Sequence, residues 1–179
     1  MAETSGADSI DWQRRWTVEA GSVTLEPVTR AMAQAILDGG PITGRFEQGA
    51  LHGRIAQAME IAIRDFDRGV AAVLPTVWLV VRDADGRILG DLGTHGPPDS
   101  DGGVEIGYSL APAARGQGIG TAAVSAFLRR LGTVPQVRDV TAVTGAENLA
   151  SRRLLEAQGF HLAGELPATA EVRYVRTLR

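Results

Sequence analysis

The sequence predicts a mixed α+β domain, in which helices cover the faces of one twisted and mostly antiparallel sheet. Segments with the two-residue period of strands alternate with segments that have the 3.6-residue period of helices, in the order β-α-α-β-β-β-α-β-α-β-β. Antiparallel hairpins surround a single strand–helix–strand crossover, which is typical of a mixed sheet. The length of 179 residues, with 44% apolar residues, suits one such domain.

The first strand and the first two helices lie in the N-terminal half. Val23 to Val28 has the composition of a strand, and Thr29 is the expected N-cap of a short helix that ends at Gly39-Gly40-Pro41. A second, amphipathic helix is expected after residue 50, because apolar residues recur there at helical spacing. Its apolar positions are Leu51, Ile55, Ala58, Met59, Ala62 and Phe66.

From Thr76 the period becomes that of strands. Asp85-Gly86 is a hairpin turn signal between strands at 76–82 and 87–94, and a loop rich in Gly, Pro and Asp follows at 95–103. The next strand, at 104–110, alternates apolar and polar residues and therefore has two distinct faces. The remaining elements are a helix after a Gly-rich loop, a strand at 137–144, a helix at 148–158, and strands at 160–166 and 172–178.

Residues 1–20 lack clean periodicity, so the predicted organisation is a partly disordered N-terminal extension followed by a domain at 21–179. Trp12 and Trp16 lie four residues apart and would share one face of a helix. They would then pack either on their own domain or against a second subunit.

The composition excludes several classes of function. A net charge of -3 argues against a nucleic-acid-binding protein, and no apolar run reaches the ~20 residues that span a bilayer. The polar, acidic start does not resemble a signal peptide, so a cytoplasmic protein is expected. The chain has no Cys, which excludes a cysteinyl intermediate, and all 18 of its basic residues are Arg, which excludes Schiff-base chemistry and a P-loop.

A strand followed by Arg115-Gly116-Gln117-Gly118-Ile119-Gly120 and a helix is the strongest local signal. A helix N-terminus presents unsatisfied N–H groups, and glycines let the backbone approach phosphate oxygens. A dinucleotide fingerprint would need a sixth-position glycine, where counting from Gly116 gives Thr121, and a P-loop would need Lys. The remaining alternatives are a diphosphate site or a turn that packs the helix close to the sheet.

The neighbouring residues give this loop a context. Glu105 to Pro112 followed by Arg115 to Gly120 resembles the acetyl-CoA signature of the GCN5-related N-acetyltransferase (GNAT) family, Gln/Arg-x-x-Gly-x-Gly/Ala. A second family element follows at the expected distance, as Asn148-x-x-Ser151-x-x-Leu154 and then Gly159-Phe160. The motifs are similar to those of the ribosomal-protein N-terminal acetyltransferases. The resemblance implies a central parallel strand pair that splays apart, acetyl-CoA as co-substrate, no metal, and a possible homodimer.

The resemblance also implies roles for individual residues. The backbone of Ser109, Leu110 and Ala111 would bind the pantetheine arm, and Asn148 and Ser151 would contact the same cofactor. Asn148 would also cap the helix that it precedes. The pyrophosphate would be bound by Arg115, Gly116, Gln117, Gly118, Ile119, Gly120 and Thr121.

Attack of an amine on a thioester needs a base and an acid. Glu105, off the apolar face of its strand, is the candidate base acting through water; the alternative is an ordinary exposed carboxylate. Many family members have a Tyr as candidate acid where this chain has Leu155, so Ser151, one turn earlier, is the candidate here. Tyr108 is interpreted as a core residue, and Tyr174 is a more remote candidate acid.

The predicted function is acetyl transfer to a primary amine, either a protein N-terminus or a small molecule; the alternative is a catalytically silent acyl-CoA-binding module. The acceptor end is expected at the 39–53 loop, the helix after it and the 95–103 loop, where specificity is usually determined. Acidic residues that could attract a cationic acceptor are Asp38, Glu47, Asp99 and Asp101. The histidines, which lack metal-ligand spacing, are His52, His95 and His161. Two arginines either contact CoA or form a solvated helix face: Arg152 and Arg153.

Overall fold

The computed structural model describes residues 16–18, 23–51, 53–69 and 74–179. Within this part the predicted order of helices and strands is confirmed, with one short strand added at the start. The strands are β1 (Trp16–Val18), β2 (Val23–Pro27), β3 (Val77–Arg82), β4 (Ile88–Thr94), β5 (Gly103–Leu110), β6 (Asp139–Gly145), β7 (His161–Leu166) and β8 (Glu171–Thr177). The helices are α1 (Arg30–Leu37), α2 (Gly53–Asp67), α3 (Ile119–Leu131) and α4 (Leu149–Ala157), with 3₁₀ turns at Pro41–Arg45 and Pro112–Ala114.

All described strands form one sheet in the order β1-β2-β3-β4-β5-β6-β8-β7. Every neighbouring pair is antiparallel except β5 and β6, which are parallel and joined through α3. The predicted fold class is therefore confirmed. The parallel pair lies inside the sheet rather than at an edge, so the strand–helix–strand crossover occupies the centre of the molecule.

Residues 16–18 form a strand, β1, and not the helix that was considered for the segment of Trp12 and Trp16. Trp16–Val18 pairs antiparallel with β2, with Thr17 opposite Thr24. Trp12 lies outside the described residues. The domain boundary after residue 20 stays a prediction, and β1 lies on its N-terminal side.

The two predicted helix caps form as expected. Thr29 Oγ1 accepts a hydrogen bond from the Met32 N–H at 3.2 Å at the start of α1. Asn148 Oδ1 accepts one from the Ser151 N–H at 3.2 Å at the start of α4. Among the described helices, none is long and apolar enough to cross a membrane.

The apolar residues form one cluster on each face of the sheet. Helices α3 and α4 cover one face, where the rings of Trp78 and Phe127 meet edge to face with centroids 6.5 Å apart. Helices α1 and α2 cover the other face around Met59 and Leu79. Because successive strand residues point to opposite faces, β3 and β4 contribute side chains to both clusters, whereas β5 and β6 contribute to the first.

Candidate active site

The sheet opens between its two parallel strands. Pairing of β5 with β6 runs from Gly103 opposite Asp139 to Ile106 opposite Ala142. Beyond that point β5 continues to Leu110 along β4, and β6 continues along β8. The two strands therefore diverge at the centre of the sheet, as the family resemblance predicted.

A cleft of about 820 Å³ occupies the region of this divergence. Its walls come from α2 on one side and from α4 with the ends of β6 and β8 on the other, and residues of β4 and β5 form its floor. Among the described residues the lining includes α2 and His95 but not the 39–51 loop. Of the predicted acceptor region, helix α2 therefore lines the cleft. The described residues of the 39–53 loop do not line it, and His95 is the one residue of the 95–103 loop that does.

Backbone groups of β5 alternate between β4 and the opening. The Ala111 N–H donates to Leu89 O on β4 at 2.7 Å. By alternation along the strand, the backbone of Ser109 also faces β4, whereas that of Tyr108 and Leu110 faces the opening. Of the predicted pantetheine-binding stretch from Ser109 to Ala111, only Leu110 has its backbone groups directed toward the opening, and those of Tyr108 point the same way.

The glycines of the loop before α3 serve different purposes. Gly116 and Gly118 have φ angles of 72° and 78°, which L side chains adopt only at a cost. Gly120 is needed for close packing instead, since a Cβ atom there would lie 3.2 Å from Leu154 Cδ1 and 3.4 Å from Leu110 Cδ1. Gly118 is the N-cap of α3 and has no side chain to cap the helix, which leaves the first N–H groups of α3 for an anion.

Two polar side chains of this loop donate hydrogen bonds to its own backbone and to the end of β5. Arg115 Nε donates to Leu110 O at 2.9 Å, and Gln117 Nε2 donates to Ala113 O at 2.6 Å. Both side chains are exposed, as is Thr121 on the first turn of α3. The loop is therefore an exposed, cationic cradle at one end of the β5 edge, and its geometry fits a phosphate group.

A hydroxyl pair lies on the α3/α4 side of the opening. Tyr108 Oη is 2.8 Å from Ser151 Oγ, and both residues line the cleft. Burial raises the pKa of the Tyr108 phenol, and the hydrogen bond with Ser151 opposes this only in part. Tyr108 packs against the core as the sequence predicted, but its hydroxyl faces the site.

The other candidates near α4 have structural partners. Leu155 is fully buried. Tyr174 is also buried, donates to Glu156 Oε1 at 2.7 Å and accepts from Arg152 Nε at 3.2 Å. Arg152 therefore helps hold α4 on the sheet, and neither it nor Tyr174 is directed at the cleft. Arg153 is exposed on the same helix.

On the opposite face of β5, Glu105 is paired with a histidine. Its Oε1 lies 2.8 Å from His95 Nδ1, at the point where the chain leaves β4, and both residues line the cleft. The side chains are 37% and 55% exposed. His95 therefore has a carboxylate neighbour that the sequence analysis did not predict. His161 is exposed on β7, and His52 lies outside the described residues.

None of the four acidic loop residues predicted to attract an acceptor lines the cleft, and the carboxylates of three of them have partners elsewhere. Glu47 pairs with Arg82, and Asp38 accepts a hydrogen bond from a glutamine of α1. Asp99 Oδ1 accepts from the backbone N–H of Asp101 within its own loop. The carboxylates that do line the cleft besides Glu105 belong to the strands: Asp91, which accepts from Ser109 Oγ at 3.2 Å, and Glu171.

The sequence analysis predicted neither the His95–Glu105 pair nor the Tyr108–Ser151 pair, although the register of the β4–β5 hairpin could have indicated the first. In the β4–β5 hairpin, Thr94 lies opposite Ile106, so register alone puts His95 opposite Glu105. No local pattern links Tyr108 to Ser151, because their contact depends on how α4 packs on the sheet.

The fold is shared with solved acetyltransferases. RimL, a ribosomal L7/L12 alpha-N-protein acetyltransferase in complex with coenzyme A, is 16% identical over 92% of this chain and 98% of its own, with a TM-score of 0.67. RimJ of Mycobacterium smegmatis, in complex with CoA-disulfide, is 24% identical over 93% and 88%, with a TM-score of 0.64. The ribosomal-protein-S5-alanine acetyltransferase of Vibrio fischeri is 15% identical over 89% and 94%, with a TM-score of 0.65.

A search of curated proteins found no match. The family model of the acetyltransferase (GNAT) domain matches residues 22–161, which cover β2 through the start of β7. This range contains the splayed strand pair, the glycine loop, the Tyr108–Ser151 pair and the His95–Glu105 pair. The chain therefore belongs to the GNAT family of acetyltransferases.

Proposed function

We propose that the protein transfers the acetyl group of acetyl-CoA directly to a primary amine, either a protein N-terminus or a small-molecule amine. One observation carries the proposal: the open backbone edge of β5 leads straight into the glycine loop at the start of α3. An extended, amide-bearing arm with a diphosphate at one end matches this path. RimL and RimJ, which share the fold, are described in complex with coenzyme A or its disulfide.

The residues present fit the cofactor in three places. The backbone of Tyr108 and Leu110 would bind the pantetheine amides as an added strand does. The N–H groups from Gly116 to Thr121 would bind the pyrophosphate, aided by the positive end of the α3 dipole. Asn148 Oδ1 is used as a cap, so we assign the NH₂ group of its amide to the pantetheine arm.

The chemistry requires no covalent enzyme intermediate. An uncharged amine attacks the thioester carbonyl, the C–N bond forms, the C–S bond breaks, and the thiolate takes a proton. Residues 105 and 108 lie on opposite faces of β5, so Glu105 with His95 stands on the acceptor side and Tyr108 with Ser151 on the other. The first pair would accept the ammonium proton, and the hydroxyl pair would donate to the departing sulfur.

The tyrosine that many family members have in α4 is absent here, and the side chain of Leu155 at that position has no proton that it could donate to the thiolate. We propose that Tyr108 of β5 supplies the phenol instead, through or beside Ser151. Its distance of 2.8 Å from Ser151 Oγ supports one connected proton donor.

The test is an acceptor screen with purified protein and acetyl-CoA, which detects free CoA thiol. Short peptides, polyamines and aminoglycosides represent the acceptor classes, and reactions without acceptor are the control. The protein has no Cys, so every thiol detected comes from the cofactor. Amine-dependent thiol release with N-acetylated product supports the proposal. Tight CoA binding without turnover on any acceptor would contradict it and favour a silent binding module.

A further inference from the structure

The backbone and the imidazole of His95 are each held by a separate contact with Glu105. Its backbone N–H donates to Glu105 O at 2.8 Å, and its ring Nδ1 lies 2.8 Å from Glu105 Oε1. The residue follows β4 directly, so the sheet fixes its backbone although it begins a loop. The ring orientation therefore depends on the side chain of Glu105.

The strand beneath the ring is shaped to receive it. A Cβ atom on Gly107 would lie 2.7 Å from His95 Nε2 and 3.3 Å from its Cε1. Real Cβ atoms do not approach so closely, so any other residue at this position would displace the ring. Gly107 is also the first residue of β5 beyond the last pair with β6, Ile106 opposite Ala142. His95 Nε2 thus lies over the point where the two strands part.

The contact with Glu105 determines which nitrogen carries the proton. An ionised carboxylate accepts hydrogen bonds only, so the neutral ring donates from Nδ1 and has its lone pair on Nε2. The Nε2 lone pair is therefore a proton acceptor on a residue that lines the cleft on this side of β5. Glu105 Oε1, in contrast, is already occupied by the ring N–H.

We infer that His95 is the catalytic base and that Glu105 is its positioning residue, an arrangement related to the His–Asp part of the serine hydrolase triad. This inference rests on the proposed function. The substrate ammonium gives one proton to His95 Nε2, and the resulting amine attacks the thioester carbon. As the C–S bond breaks, the second nitrogen proton leaves the product amide and one proton reaches the thiolate. The net products are the N-acetylated amine, CoA thiol and one proton, which His95 releases to water.

The first experiment compares three variants with wild type, using thiol release with the best acceptor of the screen. His95→Ala should lower kcat by about 100-fold or more, with the Kd for acetyl-CoA unchanged. Added imidazole should restore part of the rate of this variant in a concentration-dependent manner, and should not stimulate wild type. Glu105→Gln keeps the ring but loses the charged partner, so kcat should fall by about tenfold without imidazole rescue. His161→Ala, at an exposed position on β7, is the matched control and should keep the wild-type rate.

Gly107→Ala tests the same geometry without touching a titratable group. It should lower kcat nearly as much as His95→Ala does. The double variant with His95→Ala and Gly107→Ala should have a kcat only a little lower, because both changes remove the same interaction. Gly164→Ala on β7, where a Cβ atom meets nothing within 4 Å, is the matched control.

Three results would overturn the inference. His95→Ala within about twofold of the wild-type rate, with Glu105→Gln far slower, would make Glu105 the base. A slow His95→Ala variant that imidazole does not rescue would assign His95 a structural role. If wild type itself releases no thiol with any amine, the proposed function fails and the inference with it.

Discussion

Tyr108 has a partly buried phenol whose hydroxyl contacts Ser151, with Oη 2.8 Å from Oγ and 3.5 Å from the backbone O. We expect Tyr108→Phe to keep the packing of the ring against the core and to lower kcat by about tenfold to 100-fold, because it removes the proton donor on the thiolate side. Steady-state kinetics should show this with little change in the Kd for acetyl-CoA. Ser151→Ala should have a smaller effect if it only relays or orients the proton.

The direction of the Tyr108 pKa shift gives this expectation a second check. Burial raises the pKa above the ordinary value of 10.0, so the phenol keeps its proton until the pH rises past that value. Ionisation of Tyr108 should therefore cause no loss of kcat below about pH 10. A wild-type rate that is unaffected by Tyr108→Phe would remove this residue from the mechanism.

At the scale of elements, the loop before α3 combines strain with ligand binding. Gly118 has a φ of 78°, so we expect Gly118→Ala to cost about 1–2 kcal/mol or to shift the first turn of α3. Because those N–H groups bind the pyrophosphate in our proposal, acetyl-CoA should bind at least about fivefold more weakly. Isothermal titration measures the affinity. Gly44→Ala, where a Cβ atom meets nothing within 4 Å, is the control, and equal affinities would contradict the assignment.

The β3–β4 turn has an ion network that should make stability depend on acid pH. Arg82 donates to both Asp85 and Glu47, at 2.8 and 3.0 Å. The bond from Arg82 lowers the pKa of Asp85 from 3.8 to about 2. A lowered folded-state pKa means that the stabilisation is present above pH 3.8 and is lost as the pH falls through about 2.

We therefore expect the free energy of unfolding to decrease across that pH window, and Asp85→Asn to make the decrease shallower. Urea unfolding at a series of pH values measures both slopes. Asp101→Asn, in the exposed loop before β5, makes the same charge change without removing the ion pair with Arg82. Equal slopes for wild type and Asp85→Asn would show that the exposed network contributes nothing measurable.

Elements were predictable where periodicity or a cap is encoded locally. The apolar spacing of α2 and the hydroxyl of Thr29 each act within a few residues, and both elements formed as expected. Strand β1 was missed because three residues are too few to show a period. The orientation of the β5 backbone could not be predicted, since it depends on which groups β4 uses. The backbone groups of Ser109 and Ala111, which were expected to bind the cofactor, face β4, whereas those of Tyr108 face the opening.

At the scale of the whole molecule, the site was predictable to the extent that it is contiguous in the chain. The glycine loop and the Asn148 cap are local motifs, whereas His95–Glu105 and Tyr108–Ser151 form only when a hairpin register and a helix–sheet contact bring distant residues together. The acidic loop residues could not be assigned for the same reason. Glu47 was a candidate for attracting the acceptor, but in the structure it forms an ion pair with Arg82, which is distant in the chain. Charge alone therefore could not locate the acceptor end.

The sheet itself is divided by the opening, since only four residue pairs join β5 to β6, whereas seven join β6 to β8. A ligand that fills the opening replaces the missing backbone pairing and binds only the folded chain. At about 100 times its Kd, acetyl-CoA should stabilise the fold by about 2.7 kcal/mol, which corresponds to a Tm increase of roughly 5–10 °C for a chain of this size. Differential scanning calorimetry with and without the cofactor measures this shift. NAD, which has a diphosphate but no pantetheine arm, is the control and should leave the Tm nearly unchanged. An equal shift with both compounds would mean that the loop binds diphosphate alone and that the open edge of β5 contributes no affinity.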